Sequence, residues 1–177
     1  MQLKYFYRML HPKLTVLITA CNDKCNAMAA AWIMPVSVNP PLVAVAISPK
    51  RYTHRLIKES QCFIVNIPTI KMLDSVKYFG SASGYDENKI VKSKVKFREA
   101  RKVKGIILED AAGWLECKLY SQYDVGDHTI FVGEVVEAYV NMKYWSSTEN
   151  TWNIKEFKPI LHIGGKGYTT LSGEYLD

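Results

Sequence analysis

The sequence predicts a mainly β protein, a closed antiparallel barrel that carries two or three short helices. Short runs rich in Val, Ile and aromatic residues recur along the chain at strand length. The hairpin connection Asp124-Val125-Gly126-Asp127 joins two of the longest runs. The helical patterns fall after the third and fourth strands instead of alternating with every strand. That spacing argues against a parallel sheet with regular crossover helices and for a barrel. No G-x-G-x-x-G follows a strand, so a Rossmann-type dinucleotide site is not expected.

Residues 14–20, LTVLITA, read as the first strand by their β-branched content, and Asn22-Asp23-Lys24 as a polar turn. Residues 28–33 form its partner. Ala27, Ala29, Ala30 and Ala31 are all small there, so this strand passes close to something, either another element or a flat ligand. Met34-Pro35-Val36-Ser37 and the break Asn39-Pro40-Pro41 come next, then the apolar strand LVAVAI over residues 42–47. It ends at Ser48-Pro49, where Lys50, Arg51, Tyr52 and Thr53 collect, and Thr53 reads as the N-cap of a helix, THRLIKES. CFIVNI over residues 62–67 is another strand, and the spacing of Ile70, Leu73, Val76 and Phe79 predicts a short helix.

Gly80-Ser81-Ala82-Ser83-Gly84 reads as a hydroxyl-rich loop that could wrap a phosphate or serve as a plain linker, and it matches no P-loop. Residues 94–104 mix charge and apolar character as loop and short strand. Residues 113–123 alternate cleanly. Residues 128–140 form the longest strand, in which Gly133 marks a bulge or a close ligand approach. The chain closes on Trp145, Trp152, the Pro159-Ile160-Leu161-His162 stretch and a polar tail.

The 177 residues, 48% apolar and 23% charged, suit one domain, 1–177, with a sizeable core. No run approaches the ~18 apolar residues of a membrane span, and residues 1–13 lack a signal-peptide core, so the expectation is a cytoplasmic protein without membrane association. The net charge of +6 is modest. The Lys-rich stretches 92–96 and 101–104 are read as solvated loop and strand edge, not as a nucleic-acid patch. Cys21 and Cys25 supply half of a tetrahedral metal site at most, so no metal is expected. All four cysteines, Cys62 and Cys117 included, are read as thiols without disulfides. His54 reads as a solvated surface histidine.

The end of the LVAVAI strand, a helix N-terminus, and Lys50 and Arg51 together make an anion cradle, although most helix N-termini bind nothing. The chain resembles the flavin reductase-like, FMN-binding split-barrel family. The resemblance is carried by Asn26, Trp32, Pro35-Val36-Ser37, Asn39-Pro40-Pro41-Leu42-Val43, Ser48, Thr53 and Phe63-Ile64-Val65-Asn66. Gly126-Asp127-His128, followed by Ile130-Phe131-Val132-Gly133-Glu134-Val135, extends it over most of the chain.

That resemblance implies an FMN-binding split barrel, with FMN at a homodimer interface and hydride delivered by NAD(P)H to a flavin or another electron acceptor. It implies that Trp32, Ile33, Met34, Pro35, Val36 and Ser37 run along the flavin ring. Ser48, Pro49, Lys50, Arg51, Thr53, Ser81 and Ser83 would hold the phosphate end, and His128 would be the catalytic residue beside the nicotinamide. A flavin electron carrier reduced by a protein partner is the alternative. A barrel that binds single-stranded nucleic acid is a third reading.

Overall fold

The computed structural model describes residues 2–172, and the last five residues of the polar tail lie outside it. A 3-10 helix, Leu3–Leu10, leads into strands β1 (Lys13–Leu14), β2 (Val16–Cys21), β3 (Cys25–Ala30), β4 (Ile33–Ser37) and β5 (Leu42–Ile47). Helix α1 (Tyr52–Ser60), strand β6 (Cys62–Ile67), and helices α2 (Leu73–Ser81) and α3 (Lys89–Ser93) follow. The short strands β7 (Phe97–Glu99) and β8 (Ile106–Leu108) precede the long hairpin β9 (Gly113–Val125) and β10 (His128–Val140). Strands β11 (Trp145–Ser146), β12 (Thr151–Trp152), β13 (Leu161–Gly164) and β14 (Gly167–Thr169) complete the described chain. Among the described residues no helix is long and apolar enough to cross a membrane.

Seven strands form one antiparallel sheet in the order β3-β2-β6-β9-β10-β5-β4. Its two edges, β3 and β4, are consecutive in sequence, with only Ala31 and Trp32 between them. The sheet therefore rolls until its edges meet along the chain. The expected barrel is not closed by hydrogen bonds, because among the described residues no ladder joins β3 to β4. The single strand expected over residues 28–33 is broken at this corner, where Ala46 N–H donates to Trp32 O at 2.9 Å.

Strands β2 and β6 are buried along almost their whole length because both their faces are covered. On β2, Leu17 joins Ile64, Val76, Phe79 and Trp114 under α2, while Val16 and Ile18 join Phe63, Val45 and Phe131 under α1. A buried polar network knits this centre together. Asn66 Nδ2 donates to Leu17 O (3.0 Å) and Thr19 Oγ1 (3.1 Å), and Leu108 N–H donates to Asn66 Oδ1 (2.8 Å). Thr19 in turn donates to Ile106 O at 2.7 Å. Each polar group buried here has a partner, which is the condition for burying it at low cost.

The basic run 101–104 folds onto a buried carboxylate. Glu116 accepts N–H bonds from Arg101 (2.8 Å), Lys102 (2.6 Å) and Val103 (3.2 Å), and the Tyr139 hydroxyl at 2.9 Å. Desolvation pushes this carboxyl up, but the four donors prevail and hold it below the ordinary carboxylate range. Arg101 also lies 4.1 Å from the centre of the Tyr139 ring.

Several expectations are corrected. Cys21 and Cys25 are not free thiols. They are direct cross-strand partners on the β2–β3 hairpin, 4.1 Å apart at Cα, and form a disulfide. Cys62 and Cys117 stay free and buried. Thr53 is not the helix N-cap. Arg51 holds that position without a side-chain cap bond, and Thr53 is buried inside the first turn. His54 is buried as well, because the face of α1 that carries Leu56 and Ile57 turns it inward to meet Thr129 Oγ1 at 2.8 Å. Ser81 belongs to the end of α2 and not to a free loop, its hydroxyl donating to Lys77 O at 2.8 Å.

Gly133 sits at a register shift of the β9–β10 ladder, as the bulge reading required. The close approach there is made by protein. A Cβ at 133 would stand 2.5 Å from Phe63 Cζ and 2.8 Å from Cys117 Cβ. Gly133→Ala should therefore overpack the core and destabilise the fold by about 1–3 kcal/mol. Chemical denaturation of the two proteins reads this directly, and equal midpoints would show that the core gives way freely.

Candidate functional site

The corner where the two sheet edges meet opens into a cleft of about 610 Å³, within the ~300–1,000 Å³ typical of small-molecule sites. One wall is the small-residue stretch Ala29, Ala30 and Ala31 with Trp32, and the opposite wall is the end of β5 with Ser48. Small side chains leave this wall mostly backbone, so a flat ligand can lie close against it. Lys50, Arg51, Tyr52 and Thr53 bring in the N-terminus of α1, while Gly80, Ser83, Gly84 and Lys89 cover the cleft from the α2–α3 side. Asp127 and His128 stand where the β9–β10 hairpin turns.

Asn26 of β3 ties two of these walls together. Its Nδ2 donates to Thr53 Oγ1 at 2.8 Å, both residues being buried. The Thr53 hydroxyl thus keeps its own proton to donate. Arg51 N–H donates to Ser48 O and His54 N–H to Arg51 O, both at 3.0 Å, which leaves the Tyr52 and Thr53 N–H groups to donate at the positive end of the helix dipole. Gly84 presses on this junction. A Cβ there would stand 2.6 Å from Asn26 Oδ1 and 2.7 Å from Tyr52 Cδ1.

The charge of the cleft is positive. Among the described residues Lys50, Arg51 and Lys89 line it against the single carboxylate of Asp127. Lys89 is buried and its ammonium donates to Phe79 O (3.1 Å) and Ala82 O (3.2 Å) at the end of α2. Burial, and then the Arg51 charge, lower its pKa to about 8. Beside the end of β5, His128 Nδ1 meets Asp127 Oδ1 at 2.7 Å. A carboxylate only accepts, so Nδ1 carries the proton and Nε2 is left for a second partner. The same bond holds the Asp127 carboxyl below its ordinary range. The His128 ring leans on Trp32, with centroids 4.7 Å apart and planes 31° from parallel.

Of the residues singled out in the sequence, Trp32, Ser48, Lys50, Arg51, Thr53, Ser83 and His128 converge on this cleft. Ile33, Met34, Pro35 and Ser37 do not. They line a separate apolar groove with Leu42, Val43 and Val135. Val36 is exposed on β4 and Pro49 in the turn before α1, and neither lines the cleft. Ser81 lines a continuation of the cleft past residues 29–31. Sequence reading placed neither Lys89 nor His162 among the site residues, although the resemblance sets an Asp and a Lys after the Gly/Ser segment, here Asp86 and Lys89. Lys89 stands beside Ile90 and Val91 at the start of a helix, a weak signal of burial, and nothing in the sequence couples His162 to a site more than thirty residues before it.

Comparison with known proteins bears on this arrangement. A flavin reductase from Pseudomonas putida is 33% identical over 119 residues, 67% of this chain and 66% of its own. The FMN-binding protein of Thermus thermophilus superposes with a TM-score of 0.87 at 25% identity, covering 97% of this chain and 93% of that one. Flavoredoxin from Methanosarcina acetivorans superposes with a TM-score of 0.84 at 27% identity, covering 94% and 88%. The family model described as the flavin reductase like domain matches residues 7–163, and the chain therefore belongs to the flavin reductase-like family.

Proposed function

We propose that the protein is an FMN-binding oxidoreductase that takes hydride from NAD(P)H and passes electrons to a flavin or another acceptor. The observation that carries this reading is the pairing, in one cleft, of a small-residue wall with a cationic helix N-terminus. A flat ring with an anionic tail matches both ends at once. The residues present fit FMN. Thr53 has a hydroxyl proton to give, Lys50 and Arg51 supply charge, and Gly84 lets the covering loop close on the same corner. When bound, FMN supplies the redox chemistry itself. What remains for this chain is to hold the ring against residues 29–32, to anchor the phosphate, and to orient a donor through His128. Among the described residues the cleft holds no carboxylate pair or activated nucleophile, and hydride transfer needs neither.

Likeness to a flavoredoxin supports a second reading, an electron carrier reduced by a protein partner without nicotinamide. One experiment separates the two. The purified protein should show flavin bands in the visible spectrum, and anaerobic NADH or NADPH should bleach them. A yellow protein that neither nucleotide reduces is a carrier, and a protein that binds no FMN ends both readings.

Three further outcomes follow from the site. Thr53→Ala removes the acceptor of the Asn26 bond and a phosphate donor, while Lys50→Ala removes charge. Each should weaken FMN by about 1.5–3 kcal/mol, roughly 10- to 150-fold in Kd. Fluorescence titration of FMN checks this, and unchanged constants in both variants would move the phosphate elsewhere. His128→Ala should keep FMN and still be reduced by dithionite, yet lose about 5- to 150-fold in kcat/KM for NAD(P)H. Stopped-flow reduction at wild-type speed would make His128 structural.

The reading also carries a homodimer in the cytoplasm. Edge strand β4 exposes Met34 and Val36, and Val38 beyond it, next to the apolar groove, a surface suited to a second copy. Val36→Glu should convert the dimer to monomer in sedimentation, and a wild-type protein that already sediments as a monomer would refute this part.

A further inference from the structure

The cleft continues past its small-residue wall. Residues 29–31, Arg51, Gly80 and His162 line both the cleft and an annex of about 700 Å³ beyond it. Thr15, Lys77, Lys166 and Tyr168 line the annex alone. Its cations come from separate elements. Arg51 precedes α1, Lys77 lies on α2, and Lys166 belongs to the β13–β14 hairpin. No Asp or Glu is among the described residues that line it. None of the ion pairs among the described residues involves Arg51, Lys77 or Lys166. Like charges brought together without a counter-charge repel one another, and a concave site lined by one sign of charge gathers the opposite sign.

A second observation is independent of charge. Thr15 is 2% exposed, and its hydroxyl oxygen is buried without a protein partner. Native structures rarely leave such a group unpaired unless something absent from the bare chain completes it. The walls are also aromatic. The His162 and Tyr168 ring centroids lie 5.3 Å apart.

We infer that the annex seats an oxyanion, a phosphate or carboxylate, carried by the second substrate, the molecule that exchanges electrons with flavin in the cleft. The inference rests on the flavin reading of the cleft. The FMN phosphate has its own place beside Ser48, Lys50 and Thr53, none of which lines the annex. The shared wall of residues 29–31 puts the two ligands side by side, so the annex selects which donor or acceptor reaches the ring. A substrate without an anionic group forgoes these contacts.

The test uses FMN-loaded protein at low salt, where screening is weakest. Adenosine 2′,5′-bisphosphate and benzoate are titrated separately by calorimetry into wild type and into the double variant Lys77→Gln, Lys166→Gln. Both lysines are exposed, so the variant should fold as wild type does. The expected result is that at least one probe binds wild type and binds the variant about tenfold or more weakly, with FMN affinity unchanged. Binding of the bisphosphate assigns the annex to a phosphorylated nucleotide donor, and binding of benzoate to a carboxylate-bearing acceptor. Either result upholds the inference. Equal binding by variant and wild type, or binding of neither probe, overturns it. A parallel loss of FMN affinity also overturns it, because the annex would then hold the phosphate of FMN. Failure of the flavin reading looks different, as a wild-type protein that takes up no FMN at all.

Discussion

A sheet that stays open has two edges to dispose of, and this one runs one edge into the other. With only Ala31 and Trp32 between them, β3 and β4 cannot separate, so the sheet must roll around β2, β6 and β9. The rest of the molecule follows from that corner. The roll encloses one core under α1 and places a second under α2 and α3. It also leaves a seam that no ladder closes, and an unladdered seam has backbone groups to spare. The cleft lies there, at a place where geometry prevents the barrel from sealing itself. Charged and proline-bearing edges are a common defence against stray strand pairing. Here Pro35 interrupts the outer side of β4, and the seam itself is put to use.

Two buried polar clusters hold the roll in register. The Asn66–Thr19 network joins β2, β6 and the Ile106–Leu108 strand, and Glu116 gathers the 101–103 backbone onto β9. Either cluster would be costly if half satisfied, since an unpaired buried polar group costs about 1–3 kcal/mol. Both are saturated, and both specify one alignment of strands, because a one-residue slip would turn each side chain to the opposite face. The Asn26–Thr53 bond extends the same logic to the cleft, fixing α1 on the sheet by the residue that stands beside the phosphate end of the proposed site.

The strands were legible because their chemistry is local. β-branched runs, the Gly126 turn and the Asn39-Pro40-Pro41 break each act within a few residues, and each shows in the fold, although the run 14–20 divides between β1 and β2. What stayed hidden depends on partners far along the chain. Thr53 has the side chain of an N-cap, but Asn26 claims its hydroxyl and the cap falls two residues earlier, at Arg51. His54 looks solvated until Thr129, seventy-five residues on, is seen to meet it. The spacing of Cys21 and Cys25 does not announce a disulfide, because only the cross-strand register sets them opposite. The cleft was half legible for the same reason. Ser48 to Thr53 is one continuous stretch, whereas Lys89 and His162 reach the site only by folding.

The proposed chemistry gives that division a physical sense. Hydride transfer between two flat rings needs positioning more than acid–base groups, since the cofactors carry the reaction. A site built for positioning can be mostly backbone, and backbone leaves little trace in a sequence beyond small residues such as Ala29, Ala30 and Ala31. The side chains that do leave a trace are those that meet charge or fix an orientation. Lys50 and Arg51 follow the end of β5, and His128, held by Asp127 and leaning on Trp32, stands beside that same strand end. Charge and aromatic surface thus meet at one corner, and the annex with His162 and Tyr168 lies past the small-residue wall. In the proposed reading the corner keeps the flavin and the annex bears on what may approach it, so one fold can hold the first and vary the second.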